Sequence, residues 1–248
     1  MRPSTRIRST IMRLLASDFV LQRRRAKGRK QREAQGLDPV VYYFHQVDDP
    51  YSFIMAQQLT RFADIASVSI KPFLVSDPAA PYKGDASRFD AWAIADAANI
   101  APFLGEALPI ASGDESSTQP NNTQREAGEA ALSPLLEADL SIFTTEAQRI
   151  GLALWHHHSL PKPSHQERAH AETCVAAGDT LRASLGHFQG GTLYFDGEWY
   201  WGVDRLPLLL ARLKEEGHSQ ASVDDFDIYA AGSVRPLTVS AAVNHNIT

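Results

Sequence analysis

The spacing of apolar positions changes several times along the chain, and each change marks an element. Residues 40–44 (VVYYF) form a five-residue apolar-leaning run, which predicts a strand. From residue 50 to about 64, Phe53, Ala56, Leu59, Phe62 and Ala63 recur at three- and four-residue intervals, which predicts a helix with one buried side. A second strand is predicted over residues 66–74. Residues 90–104 are Ala-rich with Trp92, Ile94 and Ile100, and predict another helix. Residues 110–128 are polar and rich in Ser, Asn, Gly and Pro, so they read as a mobile loop. Helical blocks follow over 129–158 and 164–185, separated by the break Pro161-Lys162-Pro163. The stretch "TLYFDGEWYWG" then places two aromatic-rich runs around Asp196-Gly197, a strong hairpin signal. A closing helix is predicted in "VDRLPLLLARLKEEG", where Leu206, Leu209, Leu210 and Leu213 share a face and Pro207 falls in the first turn. The last thirty or so residues have weak periodicity and read as a tail.

The resulting order is β-α-β, helices, β-hairpin, α. That is the order of an α/β, thioredoxin-like fold with an all-helical insertion between its two halves. The division it implies is a basic N-terminal arm (1–39), a thioredoxin-like domain (40–76 and 188–216), a helical insertion (77–187) and a tail (217–248). At 248 residues and 44% hydrophobic content the chain can bury a full core. No window approaches the length of apolar chain that spans a bilayer, and the N-terminus lacks a signal-peptide pattern, so a cytoplasmic location is expected. Cys174 is the only cysteine, which excludes an internal disulfide and any two-thiol redox motif.

Charge adds an asymmetry. Residues 1–39 carry eleven Lys/Arg against three Asp/Glu, whereas the remainder carries thirteen against twenty-six. Within the arm Ile11, Leu14, Leu15, Phe19 and Val20 fall near helical spacing, with Ser9 or Thr10 available as a cap. Two readings stay open: a helix that contacts an anionic surface, and a helix folded onto the acidic body. Nucleic acid is the disfavoured partner, because no aromatic residues interleave with the arginines.

Two segments carry a resemblance. "YYFHQVDDPYSF" (42–53) resembles the strand-to-helix junction of the DsbA-like superfamily, and "GGTLYFDGEWYWGVDRLPLLLARL" (190–213) resembles that superfamily's C-terminal hairpin and helix. Its glutathione-using branches are the 2-hydroxychromene-2-carboxylate isomerases and the kappa-class glutathione transferases. The resemblance implies glutathione as a cofactor, a small organic substrate and an isomerase or transferase activity. A catalytically inactive ligand- or protein-binding scaffold is the alternative. Self-association also stays open.

On that pattern Asp49 stands where relatives keep a Ser or Cys, with Pro50, Tyr51 and Ser52 following. Asp49 followed by Pro50 is also a strong helix start. Either Asp49 is only a cap, or it is a general base with Ser52 or Tyr51 as donor. The N–H groups it would accept from should lower its pKa. His45 is a candidate second acid/base or a group orienting Asp49, with a structural role as the alternative. Gly191, preceded by Gly190, takes the place of the superfamily's cis-proline, where backbone meets the cysteinyl part of glutathione. Asp204 is placed to receive the γ-glutamyl ammonium, or to cap the last helix. His156, His157, His158, His165 and His170 lack metal-site spacing, so no metal is expected. Cys174 reads as an inert buried thiol.

Overall fold

The computed structural model describes residues 17–104 and 119–226. Four strands form one sheet in the order β2-β1-β3-β4: β1 Val40–His45, β2 Ser69–Leu74, β3 Thr192–Phe195 and β4 Glu198–Trp201. β1 and β2 are parallel with Val41 opposite Ile70, whereas β3 runs antiparallel to β1 and β4 to β3. This is the thioredoxin-like α/β arrangement, with helices inserted between its halves. The helices are α1 Asp18–Ala34, α2 Pro50–Ala66, α3 Ala80–Lys83, α4 Ala86–Ile100, α5 Asn122–Leu132, α6 Leu140–Trp155, α7 His165–Ser184 and α8 Leu206–Glu215.

Both faces of β1 are covered, as its unbroken apolar run requires. Val41, Tyr43 and Leu193 join Ile54, Met55, Leu59, Phe143, Leu206 and Leu210 in the main core. On the opposite face Phe44 packs between Phe73 and Trp199. α7 closes on β2 so tightly that a methyl group at Gly178 would lie 1.9 Å from the Leu74 carbonyl oxygen. The hairpin turns at Asp196-Gly197, both with positive φ. Behind it the fully buried Arg212 donates to the carbonyls of Phe195 and Asp196 and to Glu198 and Glu216.

Several boundaries differ from those the sequence suggests. α2 continues to Ala66 and ends on Ser67 in the left-handed region, so β2 starts only at Ser69. α4 starts four residues earlier than its apolar spacing predicts, because Asp85 caps it by accepting from the Arg88 N–H. The predicted loop is shortened: Asn121 and Gln124 form a reciprocal capping box, and α5 begins at Asn122. The remainder of that loop lies largely outside the described residues. In the tail, Phe226 is buried against Phe62, edge to face.

Of the arm, residues 1–16 lie outside the described residues. α1 itself takes in the cationic run and lies on the hairpin. Arg25 donates through Nε and Nη2 to Glu198 at 2.9 and 3.0 Å, and Arg32 donates to Asp196 at 2.9 Å. These are partly buried, geometrically specific pairs, stronger than free surface ion pairs. A side chain at Gly28 would collide with the Asp196 carbonyl carbon at 2.3 Å. The helix is therefore folded onto acidic residues of the body through this face.

Candidate functional site

The junction of β1 and α2 is built as a cap. Asp49, in extended conformation, accepts the Ser52 N–H and the Ser52 O–H on the same oxygen, both at 2.7 Å. The Ser52 hydroxyl accepts in turn from the Gln46 N–H at 3.2 Å and is wholly buried. Both of its hydrogen-bonding roles are satisfied within the protein, so it has no face for a substrate. The Ser52 hydroxyl, which the resemblance implies as a donor in a reaction, is thus engaged within the cap.

The glycine pair lies directly on that cap. Gly191 has φ +61°, and a methyl group there would stand 3.2 Å from Asp49 Oδ2 and from the Ser52 nitrogen. One at Gly190 would stand 2.6 Å from the Gln46 Cβ. Only glycine lets this loop approach so closely. By covering Asp49, the loop reverses the expected pKa change. Burial raises the carboxyl to about 6, outweighing the hydrogen bonds from Ser52 and Tyr51 that lower it, and the nearby Asp48 raises it further.

His45 stands behind the mouth. It is buried, its Nδ1 lies 2.8 Å from the Tyr43 hydroxyl, and Tyr43 donates to the Ser52 carbonyl at 2.9 Å. Burial lowers its pKa to about 3, so it stays neutral across the physiological range. Its hydrogen bond leads to Tyr43 and not to Asp49, the arrangement of the structural alternative.

Further acidic groups surround the mouth. Gln46 Nε2 donates to Asp48 at 2.9 Å and to Asp77 at 3.3 Å. Asp77 and Asp90 both pair with the nearly buried Lys83, at 2.7 and 2.8 Å. Glu129 is pushed up to about 7 by burial, against the pull of Arg125. Among the described residues no group of three or more His, Cys, Asp or Glu is arranged to hold a metal ion. Cys174 is only half-buried, with Sγ 3.7 Å from His170 Nε2, and partial burial raises its thiol pKa.

Tyr51 turns away from the cap and into a cavity of about 370 Å³ between α2, α4 and the segment after β4. Its hydroxyl donates to Asp96 at 2.7 Å. Phe89, Trp92, Ile100 and Trp201 supply much of the apolar wall, and Gly202 and Asp204 close one side. Trp92 and Trp201 keep 58% and 49% of their surface exposed, an unusual amount of indole to leave in water. The exposed face of β4 thus supplies an aromatic wall through Trp201, while Tyr200 goes to the core. Asp204 makes no capping bond; it lies 3.3 Å from Arg205 Nε and is more than half exposed. That removes the cap reading and leaves Asp204 on the cavity wall.

The predicted residues therefore separate into two places. Asp49, Ser52, Gly190 and Gly191 meet at the helix mouth, whereas Tyr51 and Asp204 belong to the cavity. Asp96 is the functional candidate that sequence reasoning missed. Its signal was a carboxylate four residues from both Trp92 and Ile100, on an otherwise apolar helical stripe.

No protein-family model and no curated protein matches the chain. Solved structures similar to it include the following two. One is a selenomethionine 2-hydroxychromene-2-carboxylate isomerase, at 15% identity and a TM-score of 0.47, covering 72% of this chain and 96% of that one. The other is a candidate protein disulfide isomerase from Nitrosomonas europaea, at 13% identity and a TM-score of 0.46, covering 72% and 98%.

Proposed function

We propose that this thioredoxin-like chain is a binding protein for a small, largely apolar organic molecule, held in the cavity between Tyr51 and Trp201. The observation that carries the reading is the contrast between the two neighbouring places. At the mouth every polar atom of Ser52 is used internally and the Asp49 carboxylate is spent on the cap. Beside it lies a cavity with an apolar wall and one oriented polar pair, Tyr51–Asp96, which is the usual composition of a small-molecule site. A neutral apolar dye such as N-phenyl-1-naphthylamine tests it. Saturable fluorescence enhancement, weakened about tenfold in the Trp92→Ala, Trp201→Ala double variant, is the expected result. No enhancement in the parent protein would contradict the reading.

A second reading has its own support. Asp49 keeps part of its surface accessible, and at about 6 its pKa suits a general base near neutrality, beside the Gly190-Gly191 loop. With Asp204 on the cavity wall, this favours a glutathione-dependent isomerase or transferase acting on a small organic substrate. Calorimetry separates the two. The binding-protein reading expects no heat at millimolar glutathione. The enzyme reading expects a saturable signal that Asp204→Ala abolishes.

A further inference from the structure

The cavity's charged lining has one sign. Asp96 and Asp204 are its charged wall residues, and no Lys, Arg or His lines it among the described residues. Arg205 reaches Asp204 at 3.3 Å, but both side chains are more than half exposed and the pair is screened by water. Asp96 receives one hydrogen bond, from Tyr51, on Oδ2; its other oxygen has no protein partner among the described residues. The field at the inner wall is correspondingly negative. Burial raises the Tyr51 phenol above its usual range, and then Asp96 and the more distant Asp49 raise it further.

The remaining wall suits the same charge. Phe89, Trp92, Phe103 and Trp201 present aromatic rings to one space. Ring faces carry negative potential, and indole most strongly, so a group of rings beside carboxylates attracts a weakly hydrated cation and opposes an anion. We infer that the cavity takes an organic cation, an aryl- or alkyl-ammonium whose hydrocarbon part lies among these four rings and whose ammonium donates to Asp96. The inference rests on the reading of the cavity as a binding site and adds the charge of its ligand. It also disfavours an anionic molecule in the same space, since two carboxylates would face it with no cation in the wall among the described residues.

Tryptophan fluorescence titrations of the full chain at pH 7.5 test the charge with three matched probes: 4-phenylbutylamine, 4-phenylbutanol and 4-phenylbutyrate. The amine should bind about tenfold tighter than the alcohol, equivalent to ~1.4 kcal/mol, and the acid more weakly than either. Asp96→Asn keeps an oxygen for the Tyr51 hydroxyl; it should abolish the preference for the amine over the alcohol. Should that variant fail to fold, raising the salt from 50 mM to 0.5 M with the parent replaces it; the amine alone should weaken. Equal affinity for amine and alcohol, or an amine preference that survives both Asp96→Asn and high salt, would overturn the charge inference while leaving the binding site standing. Silence from all three probes would overturn both.

Discussion

Replacing Asp49 by Asn should stabilise the protein at alkaline pH and do nothing in acid, although Asp49 is the N-cap of α2. Asn has the same shape, and its carbonyl can accept the Ser52 N–H and O–H, so the cap itself survives. What disappears is the cost of holding a charge under the Gly190-Gly191 loop. A carboxyl moved from 3.8 to about 6 is harder to ionise in the folded chain by about 3 kcal/mol at most. Partial exposure and the lost attraction to the helix N-terminus bring the expected gain to roughly 1–2 kcal/mol. Because the folded pKa is raised, the sign is fixed. At pH 3 and below Asp49 is largely protonated in both states and parent and variant should match. The parent then loses stability relative to Asn through the window from about 4 to 6, and the difference is complete above it. Urea unfolding followed by circular dichroism at pH 3, 5, 6 and 8, at matched ionic strength, reads this directly. An Asn variant that is less stable at pH 8, or a difference that does not change with pH, would refute the argument. Either result would mean that the hydrogen bonds of the cap outweigh its burial.

Other consequences follow from the packing. Arg212→Met should cost about 3–5 kcal/mol, since it leaves the Phe195 and Asp196 carbonyls and part of Glu198 buried without their donor; chemical denaturation measures it. Gly178→Ala should lower the thermal midpoint by several degrees or prevent folding, because its Cβ meets backbone at Leu74 rather than a side chain that can move. Arg32→Ala should release the end of α1 from the hairpin, seen as faster protease cleavage between residues 32 and 40 with little change in global stability.

The sheet was legible in the sequence wherever local pattern decides it. The strand β1, the turn at Asp196-Gly197 and the leucine face of α8 all depend on short spacings, and the structure places them where those spacings do. Boundaries moved where a single polar residue decides them, as at Asp85 and Asn121, whose caps override the apolar count. The site was half legible. Asp49 and Pro50 announce a helix start, but the sign of the Asp49 pKa depends on a loop some 140 residues away lying on top of it. The same holds for Tyr51 and Asp96, which meet across two helices, and for Arg25 and Glu198, 173 residues apart. Burial and long-range pairing are properties of the assembled fold, and no local spacing encodes them.

The claim that the Tyr51–Trp201 cavity is the binding site can be put to the four tryptophans. In a ¹H–¹⁵N spectrum each contributes one indole signal, two from the cavity wall (Trp92 and Trp201) and two from elsewhere. Trp155 is packed with Phe53 and Ile94, and Trp199 donates to the Leu185 carbonyl at 3.1 Å. Titration with 4-phenylbutanol, a neutral probe, should shift the Trp92 and Trp201 signals along one saturating curve and leave those of Trp155 and Trp199 in place. Unmoved Trp92 and Trp201 signals at saturating probe, or shifts confined to backbone amides of residues 46–49 and 190–191, would contradict it.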